Sequence, residues 1–164
     1  MRPTDIVVSK AGLLYLGRRM PCSIGRGGLT DQKSEGDGAT PRGCHAIVGI
    51  LFRADRMRSP TPKARPISFR DLWSDDSRDP HYNSLVKAPH PFQCERLYRG
   101  DRIYDLILVL DWNYFDPIKG DGSAIFLHQW RRPRYPTAGC VALRSDHLLW
   151  IARRINEASR LIVL

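Results

Sequence analysis

The chain has 164 residues, 42% of them hydrophobic and 26% charged, with 26 Lys+Arg against 17 Asp+Glu and a formal net charge of +9. That length suits one ordinary domain with a real core, and the apolar fraction excludes a wholly disordered chain. Arg supplies 21 of the 26 cationic residues; its planar fork suits carboxylate or phosphate partners, but charge alone leaves nucleic acid, an acidic polymer and a merely soluble basic surface all open.

Residues 1–20 are interrupted by Asp5, Lys10, Arg18 and Arg19 and hold no apolar core of signal-peptide length. No later window reaches the roughly 18 apolar residues of a membrane span. Ile6-Val7-Val8 and Leu13-Leu14-Tyr15-Leu16, joined through Gly12, predict a β-hairpin. The glycine-rich stretch 25–43 predicts turns and an edge. It lacks the G-x-x-x-x-G-K-[ST] order of a phosphate loop. Residues 46–52 predict a strand, and 53–91, with six prolines and little periodicity, predict a long irregular insertion that walls or covers a site. The apolar run at 104–112 predicts a strand buried on both faces, and 123–128 a second central strand ending on His128. Ser145 is the expected N-cap of a C-terminal helix whose apolar face is Leu148, Ile151, Ala152 and Ile155, and Leu161–Leu164 predict a last strand. The expected fold is mainly β (α+β), with one domain over 1–164.

The four cysteines, at 22, 44, 94 and 140, form no C-x-x-C pair, and Cys44-His45 and His90 with Cys94 lack the spacing of a zinc site. No metal is expected. Cys140 lies among small residues in Thr137-Ala138-Gly139-Cys140, a turn that lets the backbone approach a ligand, and His128 closes an apolar strand twelve positions earlier. An imidazole that accepts a thiol proton makes a nucleophile for acyl transfer; the alternative for an isolated cysteine is packing. The other three cysteines are assigned to packing. Glu35 and Asp37 invite a glycosidase pair, but a glycine-rich turn explains both more simply.

Ser123-Ala-Ile-Phe-Leu-His128 followed by Pro136-Thr-Ala-Gly-Cys-Val-Ala-Leu143 resembles the histidine and Ser/Thr-x-Gly-Cys signature of the YkuD-type L,D-transpeptidase catalytic domain. The stretches 35–43, 81–86, 95–98 and Tyr104-Asp105 are similar in order and content, so the resemblance covers nearly the whole chain. It implies a β-sandwich-like catalytic domain that crosslinks peptidoglycan stem peptides without a cofactor. Cys140 is implied as nucleophile and His128 as base and then acid, the Gly139 carbonyl as the group that orients the imidazole, and N–H groups near Gly139 and Cys140 as oxyanion donors.

Two positions depart from the family pattern: Ala142 stands where an Arg is common, and Gln129 follows the His in place of Gly. Arg131, Arg132 and Arg134 are therefore candidate substrate-binding residues, together with Thr137, Ala138, Tyr82 and Asn83. The short, Pro-rich form resembles the branch that joins the first residue of one stem to the third of another. A hydrolase of the same fold and a noncatalytic module that binds an anionic polymer remain as alternatives. The resemblance further implies a monomer acting in the periplasm or cell envelope, with no nucleic-acid partner.

Overall fold

In the computed structural model, which describes residues 2–164, the first apolar runs form the expected hairpin, β1 (Asp5–Ser9) and β2 (Gly12–Tyr15), with Ser9 facing Gly12 across the turn. Gly12 has φ +124°, and a Cβ there would lie 2.8 Å from the Met20 carbonyl oxygen, so the turn requires glycine. Then come β3 (Arg18–Met20), β4 (Cys22–Ser23), and a short parallel pair within the glycine-rich stretch, β5 (Leu29–Thr30) and β6 (Thr40–Pro41). The long strand β7 (Gly43–Phe52) precedes β8 (Arg65–Pro66), β9 (Asp71–Ser74), β10 (Leu85–Lys87) and β11 (Cys94–Arg96). The chain closes with β12 (Leu106–Leu110), β13 (Phe126–Gln129), β14 (Val141–Leu143), α1 (Ser145–Ala152) and β15 (Arg160–Val163).

Ten strands make one mixed sheet in the order β3-β2-β1-β15-β7-β12-β13-β14-β4, with β8 alongside β7, and β10-β9-β11 make a separate three-stranded sheet. Strand β12 shows why its sequence is continuously apolar. Leu106, Leu108 and Leu110 enter one core with Leu148, Ile151 and Ala152 of α1, while Ile107 and Val109 enter a second core with Trp73, Leu97 and Phe126. Successive side chains of a strand point to opposite faces, so a strand between two layers has no polar face. The C-terminal strand sits inside the sheet, parallel to β1 and antiparallel to β7.

Three expectations are corrected. Residues 53–91 are not structureless: they supply β8, β9 and β10, and buried carboxylates order the turns between them. Asp71 accepts from the Ser68 N–H and pairs with Lys87 and Arg65, and Asp79 accepts from Ser74 Oγ, the His81 N–H and the His90 ring. Hydrogen bonding of this kind leaves no apolar period to read. The helix has only eight residues, and Ser145 is its first residue; the N-cap is Arg144, whose side chain grips Asp146 and does not cap. The second central strand begins at Phe126, because Ala124 takes φ +53°.

Candidate active site

Strands β13 and β14 run parallel, with Leu127 opposite Val141 and His128 opposite Ala142. Leu127 and Val141 enter the helix-side core, so the alternate residues Phe126, His128, Cys140 and Ala142 take the other face. The register thus brings His128 and Cys140 to one wall of a cleft of about 470 Å³, lined also by Thr137, Ala138 and Gly139.

Both side chains are buried, Cys140 at 9% and His128 at 6% exposure. The Cys140 thiol donates to the Ala124 carbonyl (3.1 Å) and accepts from the Phe126 N–H (3.4 Å). Among the described residues it has no hydrogen bond to His128. Burial pushes the thiol up to about 12, with the Glu95 charge adding to the effect, and pulls His128 down to about 4. The resting pair is therefore a neutral thiol and a neutral imidazole.

The group that orients the imidazole is not the one expected. His128 Nδ1 donates to the Gln129 carbonyl (2.7 Å), while the Gly139 carbonyl accepts from the Thr40 hydroxyl (2.7 Å). Because a carbonyl only accepts, Nδ1 carries the ring proton and Nε2 keeps a free lone pair. The Gly139 N–H donates to Thr137 Oγ1 (3.1 Å), so both polar groups of Gly139 are engaged. Its glycine is required all the same: φ is +145°, and a Cβ would lie 3.0 Å from the Ala39 carbonyl oxygen. The glycine-rich stretch backs this turn. Thr40, 1% exposed, also accepts from the Gly25 N–H, and Arg26 donates its N–H to the Thr137 carbonyl.

The structure separates the predicted substrate residues. Arg131 lines the cleft, but Arg132 stacks on Tyr135 at 4.3 Å and Arg134 faces another pocket with Lys10 and Arg19. Arg26 and Arg99 join Arg131 in the cleft. Tyr82 and Asn83 lie beneath the surface, at 1% and 2% exposure, and line no part of the cleft. Tyr82 donates to Glu35 Oε2. Asn83 Oδ1 accepts from Trp73 Nε1 and from the Ala124 N–H, the residue whose carbonyl holds the thiol. Asn83→Ala leaves both donors unpaired and places alanine at φ +56°, so an unfolding free energy lower by about 3 kcal/mol is expected in urea titration. Of the cysteines assigned to packing, Cys22 and Cys94 are half-buried but Cys44 is exposed.

Sequence reasoning missed the opposite wall. Tyr104 packs edge-on to His128 (ring centroids 5.2 Å apart) and donates to Glu95 Oε1 (2.7 Å); Asp75 and Glu35 line the same cleft. Glu95 and Tyr104 stood in the motif stretches, yet nothing local marks them as cleft residues.

No curated protein sequence matches this chain. The solved structures similar to this chain include two L,D-transpeptidases. One is an L,D-transpeptidase from Mycobacterium smegmatis, with 16% identity, 99% of this chain and 58% of that one covered, and a TM-score of 0.47. The other is L,D-transpeptidase 3 from Mycobacterium tuberculosis in complex with a faropenem-derived adduct, with 12% identity, 98% and 60% covered, and a TM-score of 0.47. This chain thus spans less than two thirds of the length of either. Residues 3–163 match the family model of the YkuD L,D-transpeptidase catalytic domain, and with nearly the whole chain inside that match, the protein belongs to the L,D-transpeptidase family.

Proposed function

We propose that the chain is a peptidoglycan L,D-transpeptidase that joins stem peptides through a Cys140 acyl-enzyme. The observation that carries this reading is the pairing of His128 and Cys140 on one cleft wall, with the imidazole Nε2 left free by the Nδ1 bond to Gln129. Because the thiol is neutral at rest, its proton passes to His128 Nε2 as Sγ leaves the Ala124 carbonyl and attacks the donor carbonyl. The protonated imidazole then gives that proton to the departing amine, and a thioester remains. An acceptor amine, as free base, attacks the thioester; its proton passes by way of His128 to the leaving sulfur, restoring the thiol and forming the new amide. With the Gly139 N–H occupied by Thr137, oxyanion stabilisation falls to the Cys140 N–H.

Ala142 lies opposite His128 in register, and its methyl offers the donor stem no charged fork. This favours a donor recognised by another part of its stem, and a bond from the first residue rather than the third. The substrate places the site of action in the cell envelope. The test is product analysis on isolated muropeptides. A new dimer whose fragmentation places the bond on the first donor residue is expected; a bond on the third residue overturns the linkage, and shortened monomers alone favour the hydrolase reading. The absence of any covalent adduct in the intact-protein mass would leave a noncatalytic binding module.

A further inference from the structure

The cleft wall facing Cys140 carries chemistry that the acyl-transfer pair does not use. Glu35 from the glycine-rich stretch, Asp75 from the turn after β9 and Glu95 from β11 all line it. Glu95 pairs with Trp73, so these two project from one face of the small sheet, with Asp75 directly after the end of β9, and Trp73 packs edge-on against Phe126 at 4.9 Å. That face therefore looks across at the layer bearing His128 and Cys140.

Although Arg26, Arg99 and Arg131 line the same cleft, the carboxylates of this wall are short of paired cations. Among the described residues neither Glu35 nor Asp75 is in an ion pair, and Glu95 has only Arg99 at 3.9 Å, a guanidinium already gripped by Asp101. Two buried polar atoms there have no partner: Asp75 Oδ1, and the hydroxyl of Ser123, a cleft residue 8% exposed. An unpaired buried polar atom is destabilising, a deficit that a donor from outside removes. Burial raises the pKa of both Asp75 and Glu95, and the neighbouring Glu35 charge raises Asp75 further, as expected of carboxylates lacking a cation. The described residues hold no group of three or more His, Cys, Asp or Glu arranged for a metal ion. A strip of acceptors along a wall suits instead an ammonium group on a flexible chain, with three donors to share among them.

We propose that Glu35, Asp75 and Glu95, with the Ser123 hydroxyl, form an ammonium-binding subsite that receives the side-chain amine of the acyl acceptor beside the Cys140 thioester. The identity of the acceptor rests on the transpeptidase reading; the cation preference of the wall does not. The bound ammonium gives one proton to a carboxylate of this wall, which later releases it to water, and attacks as the free base. Holding the amine there raises its local concentration against water, so the subsite sets how much of the thioester goes to transfer and how much to hydrolysis.

The test uses the full chain and two stem peptides, one with a free side-chain amine and one with that amine acetylated. Calorimetry on the Cys140→Ser protein is expected to show the free-amine peptide binding at least tenfold tighter, with most of that advantage lost in a Cys140→Ser, Asp75→Asn protein. Glu35→Gln, a neutralisation at the other end of the strip, serves where Asp75→Asn lowers the melting temperature. Equal affinity for the two peptides, or an advantage that survives both neutralisations, overturns the subsite. The thioester itself separates the two readings. If none forms while the amine advantage persists, the transpeptidase reading falls and the subsite stands. If it forms and divides between amine and water identically in the parent protein and Asp75→Asn, the subsite falls and the transpeptidase reading stands.

Discussion

Cys140→Ser is expected to remove the covalent adduct with stem peptide and to lower crosslinking by about 10³-fold or more, measured by intact-protein mass and muropeptide analysis. Serine is the informative replacement, because a hydroxyl can still donate to the Ala124 carbonyl and accept from the Phe126 N–H, so the fold around residue 140 is kept and only nucleophilicity is lost. The parent thiol has a signature of its own. With 9% exposure and an ionisation pushed up to about 12, it should react slowly with iodoacetamide at pH 7, and the rate should still be climbing above pH 9. Rapid alkylation at neutral pH, levelling off below pH 8, would show a preformed thiolate and refute the neutral pair.

The second large effect is expected at His128. His128→Gln removes the base and should lower crosslinking by roughly 10²–10⁴-fold. Its pH dependence separates catalysis from structure. Burial pulls the folded imidazole down to about 4, whereas the unfolded chain binds its proton near 6.5. The unfolded state therefore holds more protons between these values, and the parent protein loses stability as pH falls from 6.5 to 4, by roughly 3 kcal/mol from this residue. The glutamine variant lacks that loss, so the stability difference between the two should change across this window and stay constant above it. The acid limb of kcat/KM should lie near pH 4 to 5, where the free enzyme's imidazole gains its proton. An acid limb at 6.5, or parallel stability curves, would show that the ring is solvated.

Much of the molecule is legible without coordinates, because its signals are local. The apolar run at Leu106–Leu110 names its own double burial, and Gly12 names the first turn. The cysteine in its small-residue turn and the histidine on its apolar strand each announce reactive chemistry by residue type, and their pairing needs only adjacent parallel strands. The same locality explains much of the arginine excess. Arg53 with Asp55, Arg78 with Asp76, Arg99 with Asp101 and Arg144 with Asp146 each form a fork two residues apart, so a share of the positive charge is spent on turns and not held for a partner. The reading of Tyr82 and Asn83 as cleft residues fails for a related reason: an irregular, polar sequence looks exposed, but here buried hydrogen bonds hold it inside.

A mainly β chain and its central strands are written in the sequence, because strand periodicity is a property of short segments; Cys140 and His128 are candidates by residue type, and the family resemblance, not spacing, raises them above packing. Folding alone brings the Gln129 carbonyl, and not that of Gly139, to the imidazole, sets Thr40 against Gly139 from 99 residues away in sequence, and lines one cleft with Asp75, Glu95 and the Cys140 thiol. Those relations depend on which carbonyl points where, and on the packing of a small sheet against a large one. Both are set by long-range register, which no stretch of neighbouring residues encodes.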